Sequence, residues 1–156
     1  VGLGSEVLPG PPPIDASTEH LREPASQLQL TPVTAITAGL DMVFKGVLQG
    51  APCRVLMDTG AAYSFADADW LSAHGFKLTP CSPLSVVVAT SQQAETRHAF
   101  RGKLRIGGVT TSVELRQLPH LLPGVQVILG CDWLRKHGVI IDSGEQQATM
   151  VYAGKR

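Results

Sequence analysis

The sequence lacks an excess of charge of either sign, a long apolar run and a targeting segment at its start. Thirteen basic and thirteen acidic residues give a formal charge of zero. That balance argues against a protein that holds nucleic acid through its phosphates or docks on an anionic membrane. No apolar stretch approaches the roughly 18 residues of a membrane span, and no basic region followed by an apolar stretch indicates a signal peptide. We therefore expect neither nucleic acid nor a membrane among its partners.

Cysteine is scarce, and its spacing excludes two classes of small domain. Cys53, Cys81 and Cys131 are odd in number and far apart, unlike the even sets of a secreted disulfide framework. No C-x-x-C pair is present, and the five histidines fall at no metal-ligand spacing. We expect three reduced thiols, a cytoplasmic location, and no metal or organic cofactor.

The chain divides by composition into an arm and a domain. Its 156 residues fit one domain plus a tail, and the start at Val1 rather than Met indicates a fragment cut from a longer chain. Residues 1–37 are rich in Pro, Gly, Ser, Glu and Gln, a composition that buries little apolar surface. We predict a flexible arm there, with an edge strand near Leu28–Thr37, and a folded domain over residues 38–156.

The pattern of the domain is typical of a β protein. Apolar and polar residues alternate in short runs between turn residues, as in the predicted hairpin of Leu40–Leu48 with Pro52–Met57 around Gln49-Gly50. Helices are predicted only at Asp67–His74 and Asp132–His137. The other predicted strands are 84–89, 98–102, 103–106, 111–118, 125–129, 139–141 and 148–152. Many short strands at close spacing predict an all-β fold, a small closed barrel.

One stretch has the pattern of a catalytic element. Residues 55–61 (VLMDTGA) place Asp58 at the end of an apolar strand, where the strand fixes a carboxylate that faces a cleft. Gly60 permits a sharp turn and close backbone approach, and Thr59 offers a hydroxyl. Asp-x-Gly alone is common in ordinary turns. A second apolar strand, ending at Ile128-Leu129-Gly130, favours catalysis because a small barrel can bring it beside the first.

Together these motifs resemble the retropepsin-like aspartic proteases of gypsy-type long-terminal-repeat retrotransposons. The resemblance rests on four segments and covers about residues 38–152. The segments are Met57-Asp58-Thr59-Gly60-Ala61, Ser64-Phe65, Ile128-Leu129-Gly130-Cys131-Asp132-Trp133-Leu134 and Ile141-Asp142. The flap of this family carries a glycine at its tip, whereas the corresponding residues 89–92 (ATSQ) contain none.

The resemblance implies an endopeptidase that uses two carboxylates, one from each chain of a homodimer. Asp58 is the catalytic residue that it implies, and one Asp-Thr-Gly per chain supplies half of the pair. The residues implied around it form the active-site loop, the flap over the substrate and the support of the cleft. They are Thr59, Gly60 and Ala61 in the loop, Ala89, Thr90, Ser91 and Gln92 in the flap, and Ile128, Leu129 and Gly130 in the support. The implied partners are a second copy and a polypeptide substrate, as in the processing of a retroelement Gag-Pol polyprotein inside retroelement particles.

Other acidic and nucleophilic candidates have plainer explanations. Asp142-Ser143-Gly144 is similar to the second loop of a two-lobed, pepsin-like enzyme, but too few residues separate it from Asp58 to build a lobe. We expect a hairpin turn there. Asp132 is expected to cap a helix, Ser64 has no His-Asp partner set around it, and Cys131 is expected to be buried and inert.

Two further functions stay open. The first is a host protease with the same fold, of the ubiquitin-linked or skin-type retroviral-like kind, which keeps the chemistry and changes the substrate. The second is a domesticated retroelement domain that serves only for dimerisation or peptide binding. The intact Asp58-Thr59-Gly60 argues against the second, since a purely structural relic does not need an acid in a cleft.

Overall fold

The computed structural model describes residues 26–30, 42–87, 93–119, 121–142 and 144–152. Within these residues the chain forms ten β-strands and two short α-helices. The strands are β1 (Ser26–Leu30), β2 (Val43–Leu48), β3 (Ala51–Met57), β4 (Phe65–Asp67), β5 (Thr79–Val87), β6 (Gln93–Ile106), β7 (Val109–Leu118), β8 (Val127–Leu129), β9 (Ile140–Asp142) and β10 (Gln147–Tyr152). The helices are α1 (Ala68–Ala73) and α2 (Cys131–Lys136). No helix in this part of the chain has the length and apolar character to cross a membrane.

Six of the described strands close into a barrel. Their order is β2-β3-β8-β4-β7-β6, and β6 pairs back with β2 through Gly46↔Ile106 and Leu48↔Leu104. β5 extends the sheet beyond β6. Closure gives every strand of the ring two neighbours, which removes the exposed edges of an open sheet. The predicted all-β closed barrel with one or two short helices is confirmed.

Turn residues fix the first hairpin where the sequence predicts it. Gln49 and Gly50 connect β2 to β3 with φ angles of 46° and 87°, and positive φ at both central residues is what the tight hairpin turns require. The register pairs Leu48 with Ala51 and Val43 with Leu56. A tight turn of this kind sets the register, so Leu48 stays in the main core while Val43 and Leu56 pack in a second cluster on the other face.

Alternate residues of the barrel strands fill its interior. Phe44, Leu48, Val55, Leu104, Leu115 and Val127 are all essentially inaccessible to solvent. Cys53 packs among them, and its burial raises the pKa of the thiol to about 12. The Cys53 thiol therefore stays protonated at physiological pH and behaves as a small apolar side chain. All three cysteines are free of disulfide bonds.

Both predicted helices are present, and the ends of α1 agree with the sequence signals. Asp67 caps α1, because its Oδ1 accepts a hydrogen bond from the backbone N–H of Trp70 at 3.0 Å. Gly75 follows with φ of +70°, the left-handed conformation in which helices commonly end. In α2, Trp133 is buried and its Nε1 donates to Thr111 Oγ1 at 3.2 Å, which ties this helix to β7.

A second, three-stranded sheet has the order β1-β10-β9. β1 pairs antiparallel with β10 from Ser26↔Tyr152 to Leu30↔Ala148, so an edge strand forms slightly earlier than the predicted Leu28–Thr37. The predicted closing hairpin of β9 and β10 is present. The boundary at residue 37 stays a prediction, since residues 31–41 lie outside the described residues.

The ring of His137, just after α2, gives the fold a pH dependence. Its Nε2 is buried with no hydrogen-bond partner among the described residues, and its ring lies 4.5 Å from that of Trp133. Desolvation, with a smaller contribution from the charge of Lys136, lowers the pKa of His137 below its usual 6.5. The folded protein thus keeps the ring neutral at a pH where the unfolded chain already binds a proton.

The free energy of unfolding should therefore hold above pH 6.5 and fall as the pH drops below 6.5 toward the folded-state pKa of His137. His137→Gln cannot titrate and should flatten this part of the profile. Urea unfolding of both proteins at neutral and mildly acidic pH measures the difference, with His98→Gln, an exposed histidine, as the control. Parallel profiles for wild type and His137→Gln would remove His137 as the cause.

Candidate active site

Two parallel strands bring the two predicted motifs together. β3 and β8 pair in parallel, with Leu56 opposite Ile128 and Met57 opposite Leu129. Since both strands run in the same direction, their following residues emerge at the same edge of the barrel. The backbone N–H of Asp58 donates to the carbonyl of Leu129 at 2.9 Å. Asp58 and Gly130, 72 positions apart in the chain, thus become neighbours.

The loop from Asp58 to Ala61 orients the carboxylate through its own backbone. Gly60 N–H donates to Asp58 Oδ1 at 2.8 Å, and Ala61 N–H donates to the Asp58 carbonyl at 3.1 Å. Asp58 is half-buried, whereas Thr59 and Gly60 are exposed. A strand behind the acid and a turn in front of it leave one carboxylate oxygen anchored. The side chain still reaches solvent.

The loop is joined to the start of α2 by backbone hydrogen bonds. Cys131 N–H donates to the carbonyl of Ala61 at 2.7 Å, and Asp132 N–H donates to the carbonyl of Ala62 at 3.2 Å. The first N–H groups of a helix have no partner within it. Here the loop carbonyls satisfy two of them, so the helix fixes the position of the loop.

Ser64 is the residue at this site whose role the sequence did not reveal. It is 2% exposed, its Oγ donates to Asp132 Oδ1 at 2.7 Å, and it accepts from Gly130 N–H at 3.0 Å. One buried hydroxyl therefore links β4, β8 and α2. A buried hydroxyl needs hydrogen-bond partners, and those of Ser64 lie far along the chain, so no local pattern marks its role.

The expected role of Asp132 as a helix cap is corrected in part. Gly130 occupies the N-cap position and has no side chain for that purpose, and Asp132 lies in the first turn of α2. Its Oδ1 accepts from Trp133 N–H at 2.7 Å as well as from Ser64. The carboxylate thus stabilises the helix start, where negative charge is favourable, and fixes the Ser64 hydroxyl.

Ser64→Ala should lower the free energy of unfolding by about 1–3 kcal/mol, because it leaves the Gly130 N–H buried without an acceptor. Chemical denaturation followed by tryptophan fluorescence measures the loss. Ser112→Ala is the matched control, since Ser112 is exposed and bonds only to the flexible Lys103 side chain. An equal, small loss in both variants would show that the buried hydroxyl does not stabilise the site.

An open depression of about 480 Å³ lies beside the loop. It is lined by Thr59, Gly60, Ala61, Ala62, Tyr63, Cys131, Asp132 and Arg135. Cys131 is half-buried and its Sγ donates to the carbonyl of Thr59 at 3.2 Å, so the expectation of a fully buried thiol is wrong. Tyr63 is 43% exposed, and the guanidinium of Arg116 lies 5.4 Å from the centre of its ring.

The remaining predicted residues lie elsewhere or outside the described part. Ala89, Thr90, Ser91 and Gln92 are not among the described residues, so their role as a flap stays a prediction. Asp142 belongs to the β9–β10 hairpin, where its Oδ1 accepts from Glu145 N–H at 3.0 Å, as a turn residue does. No group of three or more His, Cys, Asp or Glu side chains suited to a metal occurs in the described residues.

Comparisons with known proteins agree on the kind of domain. A family model described as the PEG10/RTL1 protease domain matches residues 54–151, more than half of the chain. No curated protein matches the chain in sequence.

Two solved structures share the fold. One is EIAV protease complexed with the inhibitor HBY-793, 16% identical, with 66% of this chain and 93% of that chain covered and a TM-score of 0.51. The other is a retropepsin-like aspartic protease from Rickettsia conorii, 15% identical, with 83% and 92% covered and a TM-score of 0.53. At these identities the likeness establishes the fold alone.

Proposed function

Because the chain belongs to the PEG10/RTL1 protease domain family, we propose that it is an aspartic endopeptidase whose active site is completed by a second copy of the chain. The resemblance to retropepsin-like proteases found in the sequence is confirmed by this family and by the shared fold. The observation that carries the proposal is the Asp58 loop. A half-buried carboxylate stands at the end of a barrel strand, anchored through one oxygen by Gly60 N–H.

The proposed reaction needs two carboxylates that share one proton. Two like charges a few ångströms apart do not both ionise, so one Asp58 is charged while its counterpart is protonated. The charged carboxylate takes a proton from a water molecule, whose oxygen attacks the peptide carbonyl carbon. The protonated carboxyl gives its proton to the carbonyl oxygen. When the carbon–nitrogen bond breaks, the carboxyl that took the proton from water gives it to the leaving nitrogen. One hydroxyl of the intermediate returns its proton to the other carboxylate as the carbonyl re-forms, so the pair again holds a single proton.

Among the described residues, each chain supplies one suitable acid, Asp58. Asp132 lines the depression beside the loop, but its Oδ1 already accepts from Ser64 and from Trp133 N–H, which commits it to a structural role. Asp142 serves the β9–β10 turn. The second carboxylate is therefore assigned to Asp58 of another copy, related by a two-fold axis.

Apolar surface next to the loop supports association with a second copy. A second open depression of about 360 Å³ shares Thr59, Cys131 and Arg135 with the first, and the rest of its lining is mostly apolar and includes Leu134 and Val139. Ile140, on the edge strand β9, is 66% exposed. Exposed apolar side chains beside an incomplete site are typical of a subunit interface.

The proposed substrates are extended polypeptides with apolar residues flanking the scissile bond. Residues 89–92 would close over the bound peptide and exclude water, while Thr59, Gly60 and Ala61 would form the cleft floor. We assign the domain to processing of a retroelement polyprotein in the cytoplasm or within retroelement particles. A host substrate, or a non-catalytic dimerisation or peptide-binding role, is the alternative.

Sedimentation and cleavage measured together test this proposal. Sedimentation should show a two-chain species at high protein concentration. Cleavage of a mixed peptide library at mildly acidic to neutral pH should rise more steeply than linearly with protein concentration, since only the dimer holds both acids. Peptide binding with a two-chain mass but no cleavage would favour the non-catalytic alternative. Monomer at every concentration, even with a substrate mimic, would remove the shared site.

A further inference from the structure

The net charge of zero hides two opposite charges in different parts of the chain. Residues 1–25 contain four acids, Glu6, Asp15, Glu19 and Glu23, against one base, Arg22. Residues 26–156 contain nine acids and twelve bases. We call residues 1–25 the acidic segment. A barrel with excess positive charge therefore follows a segment with excess negative charge on the same chain.

Part of the positive charge is concentrated on the outer face of three barrel strands. Lys45 of β2 lies directly opposite Arg54 of β3, and Val47 of β2 lies opposite Arg105 of β6. Side chains two positions apart on a strand share a face, so Lys45, Val47 and Arg54 share one face with Arg105 and Lys103. Lys45, Lys103 and Arg105 are exposed, and Arg54 is half-buried. We call these four cations the basic stripe.

The basic stripe has no acidic partner within the described residues. The ion pairs found there join Arg97 to Glu95 and Arg101 to Glu114. The second pair borders the stripe, since Arg101 lies two positions before Lys103 on β6, but Glu114 bonds to Arg101 and to none of the four cations. Lys103 Nζ donates to the neutral hydroxyl of Ser112 at 2.7 Å. Like charges directly opposite each other across two strands are destabilising. The cations of the stripe are therefore unpaired, and the repulsion between Lys45 and Arg54 destabilises the sheet locally. An anionic partner would reduce that repulsion.

We propose that the acidic segment of the same chain binds the basic stripe. The two carry opposite charge. The four acids of the segment are distributed along its length, and the four cations of the stripe are distributed over three neighbouring strands. Twenty-five residues span up to about 80 Å when extended, and β1 joins the segment to the folded part at Ser26. Because the segment is linked to the barrel, its effective concentration at the stripe is in the millimolar range. Individually weak ion pairs are therefore enough to hold it there. The bound segment covers the cations that would otherwise attract external polyanions.

A zero-length carbodiimide cross-linker tests this in the full-length chain, because it joins a carboxylate to a lysine amine only when the two are in contact. At low salt, cross-links from the acidic segment should favour Lys45 and Lys103 over the exposed Lys77 and Lys136. This preference should disappear at about 1 M salt, because the Debye length there is only about 3 Å and the attraction between exposed charges is screened. Mixing isotope-labelled and unlabelled chains distinguishes links within one chain from links between two.

A matched pair of variants isolates the stripe. Arg105→Glu should reduce the links to Lys45 and Lys103 to the level of Lys77, while Arg97→Glu makes the same charge change on the same strand outside the stripe and should leave them intact. Links equally distributed over all four lysines would overturn the proposal, and so would links between differently labelled chains. Binding of single-stranded RNA by the wild-type chain, with no links from the segment, would assign the stripe to an external polyanion instead.

Discussion

Asp58→Asn should abolish peptide cleavage, lowering kcat/KM by at least about 10³-fold, the scale of positioned general acid–base catalysis. The amide neither takes a proton from water nor shares one with its counterpart, so the substitution removes both roles from the proposed pair. The amide oxygen can still accept from Gly60 N–H, so the loop should keep its conformation. Initial rates on a peptide cleaved by the wild type measure the effect, and thermal unfolding checks that the fold is retained.

Asp142→Asn is the matched control for this substitution. Asp142 occupies the β9–β10 turn and accepts from Glu145 N–H through Oδ1, an interaction that an amide oxygen also makes. Cleavage by this variant should equal that of the wild type. Equal cleavage by Asp58→Asn and the wild type would eliminate Asp58 from the mechanism.

Gly130→Ala should destabilise the fold by about 3 kcal/mol or more, the upper end of what overpacking costs. A Cβ at this position would overlap the carbonyl oxygen of Tyr63 and lie 2.6 Å from that of Ala61. Both obstacles are backbone atoms, which cannot turn aside as the end of a flexible side chain can. The loop would have to move away from α2 and break the bond from Cys131 N–H to the Ala61 carbonyl. Denaturant unfolding measures the loss.

Gly144→Ala provides the comparison for Gly130→Ala. A Cβ at Gly144 would lie 3.5 Å from Asp142 Oδ1, an ordinary van der Waals contact. The free energy of unfolding should therefore change by no more than about 0.5 kcal/mol, as for most surface substitutions. A loss in Gly130→Ala no larger than in Gly144→Ala would show that the close approach of the loop to Gly130 is not required.

Much of the local structure followed from the sequence because its determinants are local. Gln49-Gly50 predicted the first hairpin, and the structure places both residues at positive φ. Asp67 predicted the start of α1, and its side chain makes the expected capping bond. Turn and capping preferences depend on a few adjacent residues, so they can be read without knowing what packs nearby.

Other features depended on contacts between distant parts of the chain. The sequence predicted several short strands, but β6 runs without a break over Gln93–Ile106 because it pairs in turn with β5, β7 and β2. The position of β4 between β7 and β8 has no local signal. The linking role of Ser64 was also unpredicted, since its partners Asp132 and Gly130 lie far downstream.

The sequence by itself determined the all-β class, both helices and the candidate acid. Their signals are local: the alternation of apolar and polar residues, helix caps, turn residues and the Asp-Thr-Gly motif each involve only residues close together in the chain. Only the tertiary structure decided what surrounds that acid. The parallel pairing of β3 with β8 brings Gly130 beside the Asp58 loop, and the Ser64 hydroxyl links Gly130 to Asp132. The physical reason is that the position of the Asp58 loop depends on hydrogen bonds to backbone that is distant in the chain, such as the bond from Asp58 N–H to the carbonyl of Leu129. Which backbone is near is settled when the barrel closes.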